Sequence, residues 1–219
     1  MARLPRVDGV EGVKMPSIPL WSVALPLGCY LTLLGLVHLR RRPLAVSGAV
    51  DAVCLAAGLS GCVAAGLSGL AFAGPPLWGW NAMGGGWAVL GAVAVLLLAL
   101  AILISRPRLV VYNATVEQLR PAVAEVVLAL DPSARWAGET VAMPSRGLQV
   151  HIDGGSAMRN VTLVALGKRP SPEGWSEFTR RLRGSVGLLR VSSSPWSGLF
   201  LLGGIMALAA ATWSGLGGL

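Results

Sequence analysis

Charge is scarce in this sequence, and long stretches carry none at all. Only 13% of the 219 residues are charged, whereas 54% are hydrophobic, and the mean hydropathy is +0.66. An average soluble domain has about 25% charged residues. The composition therefore excludes an ordinary soluble protein and predicts a membrane protein.

Cysteine is scarce as well. The three cysteines, Cys29, Cys54 and Cys62, all lie in apolar stretches. Their spacing matches neither a zinc site nor the framework of a disulfide-rich domain. We predict that they are small packing residues, and we predict no metal and no cofactor.

Acidic residues are fewer than basic ones, which leaves a formal net charge of +8. Such an excess could indicate a nucleic-acid partner, but no nucleic-acid-binding motif accompanies it. In membrane proteins, excess Lys and Arg typically mark the cytoplasmic side. We therefore predict no nucleic-acid partner and use the charge to assign orientation.

Four apolar segments are long enough for transmembrane helices, which need about 20 residues. The predicted organisation is a tail at 1–17, helices at 18–39, 47–73 and 87–105, a soluble domain at 106–195, and a fourth helix with the C-terminus at 196–219. The fold class is thus an α-helical integral membrane protein with four transmembrane helices and an inserted α+β domain.

Basic residues flank these segments unevenly. Arg40, Arg41 and Arg42 follow the first segment, and Arg106 and Arg108 follow the third. By the positive-inside rule, the loop after the first segment and the domain at 106–195 are cytoplasmic. We expect a multi-pass protein of a bacterial inner membrane, with both termini outside.

The second segment is built largely of small residues at four-residue spacing. Small side chains let helix backbones approach closely in lipid, so this helix should pack inside the bundle or at an oligomer contact. A generic Ala- and Gly-rich span explains the pattern as well. The residues predicted to make the contact are Gly58, Gly61, Cys62, Ala65 and Gly69.

The domain has the predicted order β-α-β-β-β-β-α, with an antiparallel sheet and both helices on one face. Thr115 and Gln118 form a capping-box pattern at the start of the first helix, and Ser171 with Pro172 opens the second. The strands are predicted at 108–113, 134–136, 140–143, 148–152 and 160–166, from their apolar runs and the turn residues between them.

Few residues suggest chemistry. His151 and Asp153 lie two positions apart on one strand, and so on one face, but no nucleophile accompanies them. His38 could in principle ligate a haem or metal, but it has no visible partner. We expect Asp51 to pair with Arg40, Arg41 and Arg42 at the membrane surface.

Arg180, Arg181 and Arg183 form a basic surface that could contact anionic lipid headgroups or a partner protein. We predict a non-enzymatic accessory, scaffolding or assembly subunit of a membrane complex, with a protein partner or homo-oligomer. Two alternatives stay open. One is a small-molecule or lipid-handling membrane protein with the domain as gate or sensor; the other is an enzyme that uses His151 and Asp153.

Overall fold

The computed structural model describes residues 19–73, 85–155, 158–167 and 170–216, without the side chains of 67–88 and 155. The predicted tail at 1–17 and residues 74–84 lie outside these ranges. The elements in chain order are α1 Leu20–Leu39, β1 Leu44–Ser47, α2 Gly48–Ala73, α3 Gly85–Ile104, β2 Arg108–Tyr112, α4 Val116–Leu130, β3 Arg135–Ala137, β4 Thr140–Met143, β5 Leu148–Gly155, β6 Asn160–Leu166, α5 Pro172–Leu188 and α6 Trp196–Leu216.

Three helices are long and apolar enough to cross a membrane. They are α1, the described part of α2 at Gly48–Gly66, and α6, with 20, 19 and 21 residues. Helix α3 forms where the third span was predicted, but its apolar part with described side chains, Val89–Ile104, is shorter. Length and composition thus support the predicted transmembrane helices at 18–39, 47–73 and 196–219, whereas the span at 87–105 stays a prediction.

Helix α1 lies between α6 and α2, and glycines allow the close contacts on both sides. A Cβ at Gly204 of α6 would fall 2.7 Å from the backbone nitrogen of Thr32, and one at Gly35 would fall 2.8 Å from that of Leu201. These distances are too short for a real side chain, so α1 and α6 meet backbone to backbone. Such contact is the usual basis of helix association in lipid.

The contact between α1 and α2 includes a carbonyl group that Pro26 leaves unpaired. Proline has no N–H, so Pro26 cannot donate to the carbonyl of Ser22 one turn earlier. Gly61 of α2 packs against this carbonyl, since a Cβ added at Gly61 would fall 2.4 Å from the Ser22 oxygen. The absence of a side chain at Gly61 therefore lets the α2 backbone come close to the Ser22 carbonyl.

The six strands form one antiparallel sheet in the order β1-β2-β6-β5-β4-β3. The predicted meander is present as β3 to β6, and the capping box of Thr115 and Gln118 opens α4. Apolar side chains on one face of the sheet form a single buried core with α4 and α5. Phe178 and Leu182 of α5 and Leu119 of α4 are fully buried in it.

One strand was not predicted. Residues 44–47 belong to the loop between the first two membrane helices, yet they form β1 and pair with β2, with Leu44 opposite Tyr112 and Ser47 opposite Leu109. The predicted order β-α-β-β-β-β-α therefore lacks the first strand of the sheet. A four-residue strand with three apolar residues, beside a long apolar helix, has too little periodicity of its own, so only its pairing partner identifies it.

Candidate functional site at the membrane junction

Strand β1 makes the membrane helices and the sheet one continuous structure. It follows the end of α1 and runs directly into α2. Asn113, just after β2, is fully buried with a left-handed backbone (φ 59°), and its side-chain amide donates to the Arg40 carbonyl at 2.7 Å. The turn after α1 is thereby tied to the end of β2.

Asp51, in the first turn of α2, is the acid of this junction. It accepts a hydrogen bond from the Tyr112 hydroxyl, and its other carboxylate oxygen lies 3.9 Å from the Arg108 guanidinium. Burial, together with the bond to Asp51, raises the pKa of Tyr112 above its ordinary value, so the phenol stays a donor. The prediction that Asp51 pairs with the three arginines after α1 was therefore wrong, because β2 carries its partners to it.

His38 lies at the end of α1 and is fully buried. Its Nδ1 is 2.8 Å from the Leu34 carbonyl oxygen, and its Nε2 is 3.2 Å from that of Met158. The ring also packs against Tyr112 and Phe200. Each ring nitrogen faces a carbonyl oxygen, so neither directs a lone pair toward open space. The contacts therefore suit a residue that packs α1 against the sheet and α6 better than they suit a metal ligand.

The linker between α5 and α6 completes the junction. The Val191 N–H donates to the Arg41 carbonyl at 3.0 Å, and the Ser194 N–H donates to the His38 carbonyl at 3.1 Å. Ser194 also accepts from the Trp196 N–H through its hydroxyl, at 3.3 Å. The turn after α1 and the α5–α6 linker are therefore held together by hydrogen bonds.

Arg159 joins the linker to the domain. Its backbone is left-handed (φ 53°), and its carbonyl accepts from the Ala114 N–H at 2.8 Å. Its guanidinium donates to the Ser192 hydroxyl at 3.0 Å and to the Gln118 amide oxygen at 3.3 Å, while its buried Nε has no acceptor among the described residues. Sequence reasoning missed Asn113 and Arg159, because a left-handed backbone at a residue other than glycine leaves no periodic signal.

The two residues considered for catalysis lie away from this junction. The His151 Nδ1 is 3.0 Å from the Thr140 hydroxyl on the neighbouring strand, on the sheet face opposite the core. Asp153 is exposed on the same face. Among the described residues, no three His, Cys, Asp or Glu side chains lie close enough together to hold a metal ion.

The predicted basic surface on α5 is partly neutralised. The Glu177 carboxylate pairs with both Arg180 and Arg181, at 2.5 Å and 2.6 Å. These bonds lower the pKa of Glu177, with the Arg180 bond the larger cause. Arg183 is exposed and, within the described ranges, belongs to no ion pair.

Of the residues predicted for helix contact, two pack against α1 and two others differ in their exposure. Gly58 packs against the Tyr30 side chain of α1, and Gly61 packs at the carbonyl of Ser22. Cys62 is exposed, and Ala65 is half-buried. Gly69 is within α2, in the part whose side-chain surroundings lie outside the described residues.

Comparisons with protein-family models, with curated proteins and with solved structures each find no match to this chain.

Proposed function

We propose that this protein is a non-enzymatic, membrane-anchored accessory, scaffolding or assembly subunit of a bacterial membrane complex. Its α+β domain would bind a partner protein on the cytoplasmic side of the inner membrane. The observation that carries this proposal is the junction, in which the strand between α1 and α2 pairs with the sheet of the domain. Such a rigid attachment suits a protein that holds a binding surface at a fixed distance from the membrane.

The physical reason concerns relative motion. Domains connected only by linkers move relative to one another unless a large interface holds them. Here β1 belongs both to the sheet and to the connection between α1 and α2. Rotating the domain on its anchor would break that pairing and the Tyr112 bond to Asp51. A partner that binds the domain is therefore held in a defined orientation to the bilayer.

The connectivity also supports α3 as a membrane-crossing helix and bears on which side of the membrane the domain lies. Helix α2 leaves the sheet at Gly48, and the chain re-enters it at Arg108 after α3. If α2 crosses the membrane, α3 must cross back. The basic residues of the domain and of the loop before β1 favour the cytoplasm for this side, with both termini outside.

Two surfaces are proposed for binding. On the domain, Arg180, Arg181 and Arg183 would contact the partner or anionic headgroups, with Arg183 the member outside the Glu177 pairs. In the membrane, Cys62 and Ala65 are on α2 beside the glycines that pack against α1. Helix α3 is exposed along most of its described length, for example at Val95 and Leu96. It therefore has surface available for another helix.

The test is isolation of the tagged full-length protein from its native membranes in mild detergent at moderate salt, followed by mass spectrometry. We expect stoichiometric partner subunits. Arg183→Glu should weaken their retention, whereas Arg135→Glu, the same charge change on the edge strand β3, should not. Recovery of a clean monomer or homo-oligomer with only lipid attached would contradict the proposal.

That second outcome would favour the lipid-handling alternative. A specific observation supports keeping it: a basic hollow beside Arg41 and Arg190 opens where the helices meet the domain. In this alternative the domain would respond to an occupant of the hollow through the hydrogen bonds of the junction.

A further inference from the structure

Two chain segments form the basic hollow at the junction. Its volume is about 400 Å³, and its lining is Arg41, Arg190, Val191, Ser192 and Ser193. Arg41 belongs to the turn after α1, and the others belong to the linker between α5 and α6. The hydrogen bond from the Val191 N–H to the Arg41 carbonyl holds the two segments together. Both arginines therefore lie beside one cavity.

The hollow carries positive charge, and none of the described residues that line it is an acid. Within the described part of the chain, the ion pairs involve Arg108, Arg180 and Arg181, so neither Arg41 nor Arg190 is paired with a carboxylate there. The Arg159 guanidinium adds a third positive group, since it donates to the Ser192 hydroxyl on the rim.

The hollow also lies at the level where headgroups are expected. Arg41 is two residues beyond the end of α1, and Ser193 is three residues before the start of α6. Both helices are long enough to cross the membrane. Leu39, the last residue of α1, and Leu199, in the first turn of α6, are exposed at 50% and 57%. The helix ends that adjoin the hollow along the chain therefore offer apolar surface to acyl chains.

We propose that this hollow binds the phosphate of an anionic phospholipid, with the acyl chains against α1 and α6. Guanidinium groups donate paired N–H groups to phosphate oxygens, which gives both energy and orientation. A bound lipid would bridge the turn after α1 and the α5–α6 linker. This inference does not rest on the proposed partner, because the site lies within one chain.

The test measures lipid binding to the purified full-length protein in detergent by native mass spectrometry, with phosphatidylglycerol and phosphatidylcholine as probes. Arg41→Gln and Arg190→Gln should each lower affinity for phosphatidylglycerol about fivefold, which corresponds to about 1 kcal/mol per basic residue near an anionic surface. Arg135→Gln, an equal charge change on the distant edge strand, should leave it unchanged. Unfolding temperatures of all variants would verify that each is folded.

Three outcomes would overturn the proposal. The first is an equal loss of affinity in Arg135→Gln, which would indicate nonspecific attraction. The second is equal binding of phosphatidylcholine, which would remove the requirement for an anionic headgroup. The third is displacement of the lipid by inorganic phosphate at matched concentration, with the same dependence on Arg41 and Arg190, which would make free phosphate the ligand.

Discussion

At the scale of single residues, two buried side chains are paired with backbone groups far away in the chain. The His38 ring reaches the Met158 carbonyl, and the Asn113 amide reaches the Arg40 carbonyl. A buried polar side chain without a partner costs roughly 1 to 3 kcal/mol. Each of these contacts therefore favours one relative position of the segments it joins.

Asp131 offers a test at this scale, because both oxygens of its buried carboxylate are used. One accepts from the Ser133 hydroxyl at 2.6 Å and from the Ser133 N–H, and the other accepts from the Ser145 N–H at 2.9 Å. The Ser133 hydroxyl is the largest cause of a pKa lowered from 3.8 to about 2. The ionised form is favoured by folding, so its stabilising effect is present above pH 4 and is lost between about pH 4 and 2.

We predict that Asp131→Asn lowers the thermal unfolding temperature at pH 7, and that its difference from the unmodified protein shrinks as the pH falls from 4 to 2. Asparagine retains one acceptor but not the second or the charge. Asp153→Asn is the control, since Asp153 is exposed and its side-chain carboxylate accepts no hydrogen bond from the described residues. A difference for Asp131→Asn that stays constant with pH would show that the carboxylate charge is not involved.

At the scale of elements, neighbouring glycines of α6 have different roles. Gly204 lies against the α1 backbone, and a Cβ there would also fall 2.4 Å from the Thr32 hydroxyl oxygen. Gly203, one residue earlier, has only the end of the Leu31 side chain near it, at 3.8 Å. The first position is at a helix contact with no spare room, and the second tolerates a methyl group.

Gly204→Ala should therefore separate α1 from α6 and lower the free energy of unfolding by about 1 to 3 kcal/mol, as overpacking usually does. Gly203→Ala should leave stability unchanged or raise it by up to about 1 kcal/mol, because alanine favours the helix. Thermal unfolding of the full-length protein in detergent would compare them. Equal effects from the two substitutions would contradict this account of the contact.

At the scale of the whole molecule, the sheet determines which ends of the membrane helices lie on the same side. Strand β1 follows α1, and β2 follows α3, yet the two strands are paired. The C-terminal ends of α1 and α3 therefore lie on the same side as the domain, and so do the N-terminal ends of α2 and α6. The residues between α2 and α3 must then be on the opposite side if both helices cross.

This topology can be tested with single cysteines after Cys29, Cys54 and Cys62 are replaced by alanine. A membrane-impermeant maleimide added to intact cells should label Asn81→Cys, whereas Ser133→Cys in the domain should react only after permeabilisation. Labelling of both positions only after permeabilisation would mean that neither α2 nor α3 crosses the membrane, which would contradict four spans. The reversed pattern would keep four spans but place the domain outside.

The sequence by itself determined the membrane class, the helices α1, α2 and α6, and the alternation of strands and helices in the domain. These features depend on local composition, hydrophobic periodicity and caps such as Thr115, which act over a few neighbouring residues. Tertiary structure decided the rest. Strand β1, the pairing of Asp51 with Tyr112, and the basic hollow arise where distant segments meet, because a short strand or a lone polar residue acquires its role only from the partner that the fold brings to it.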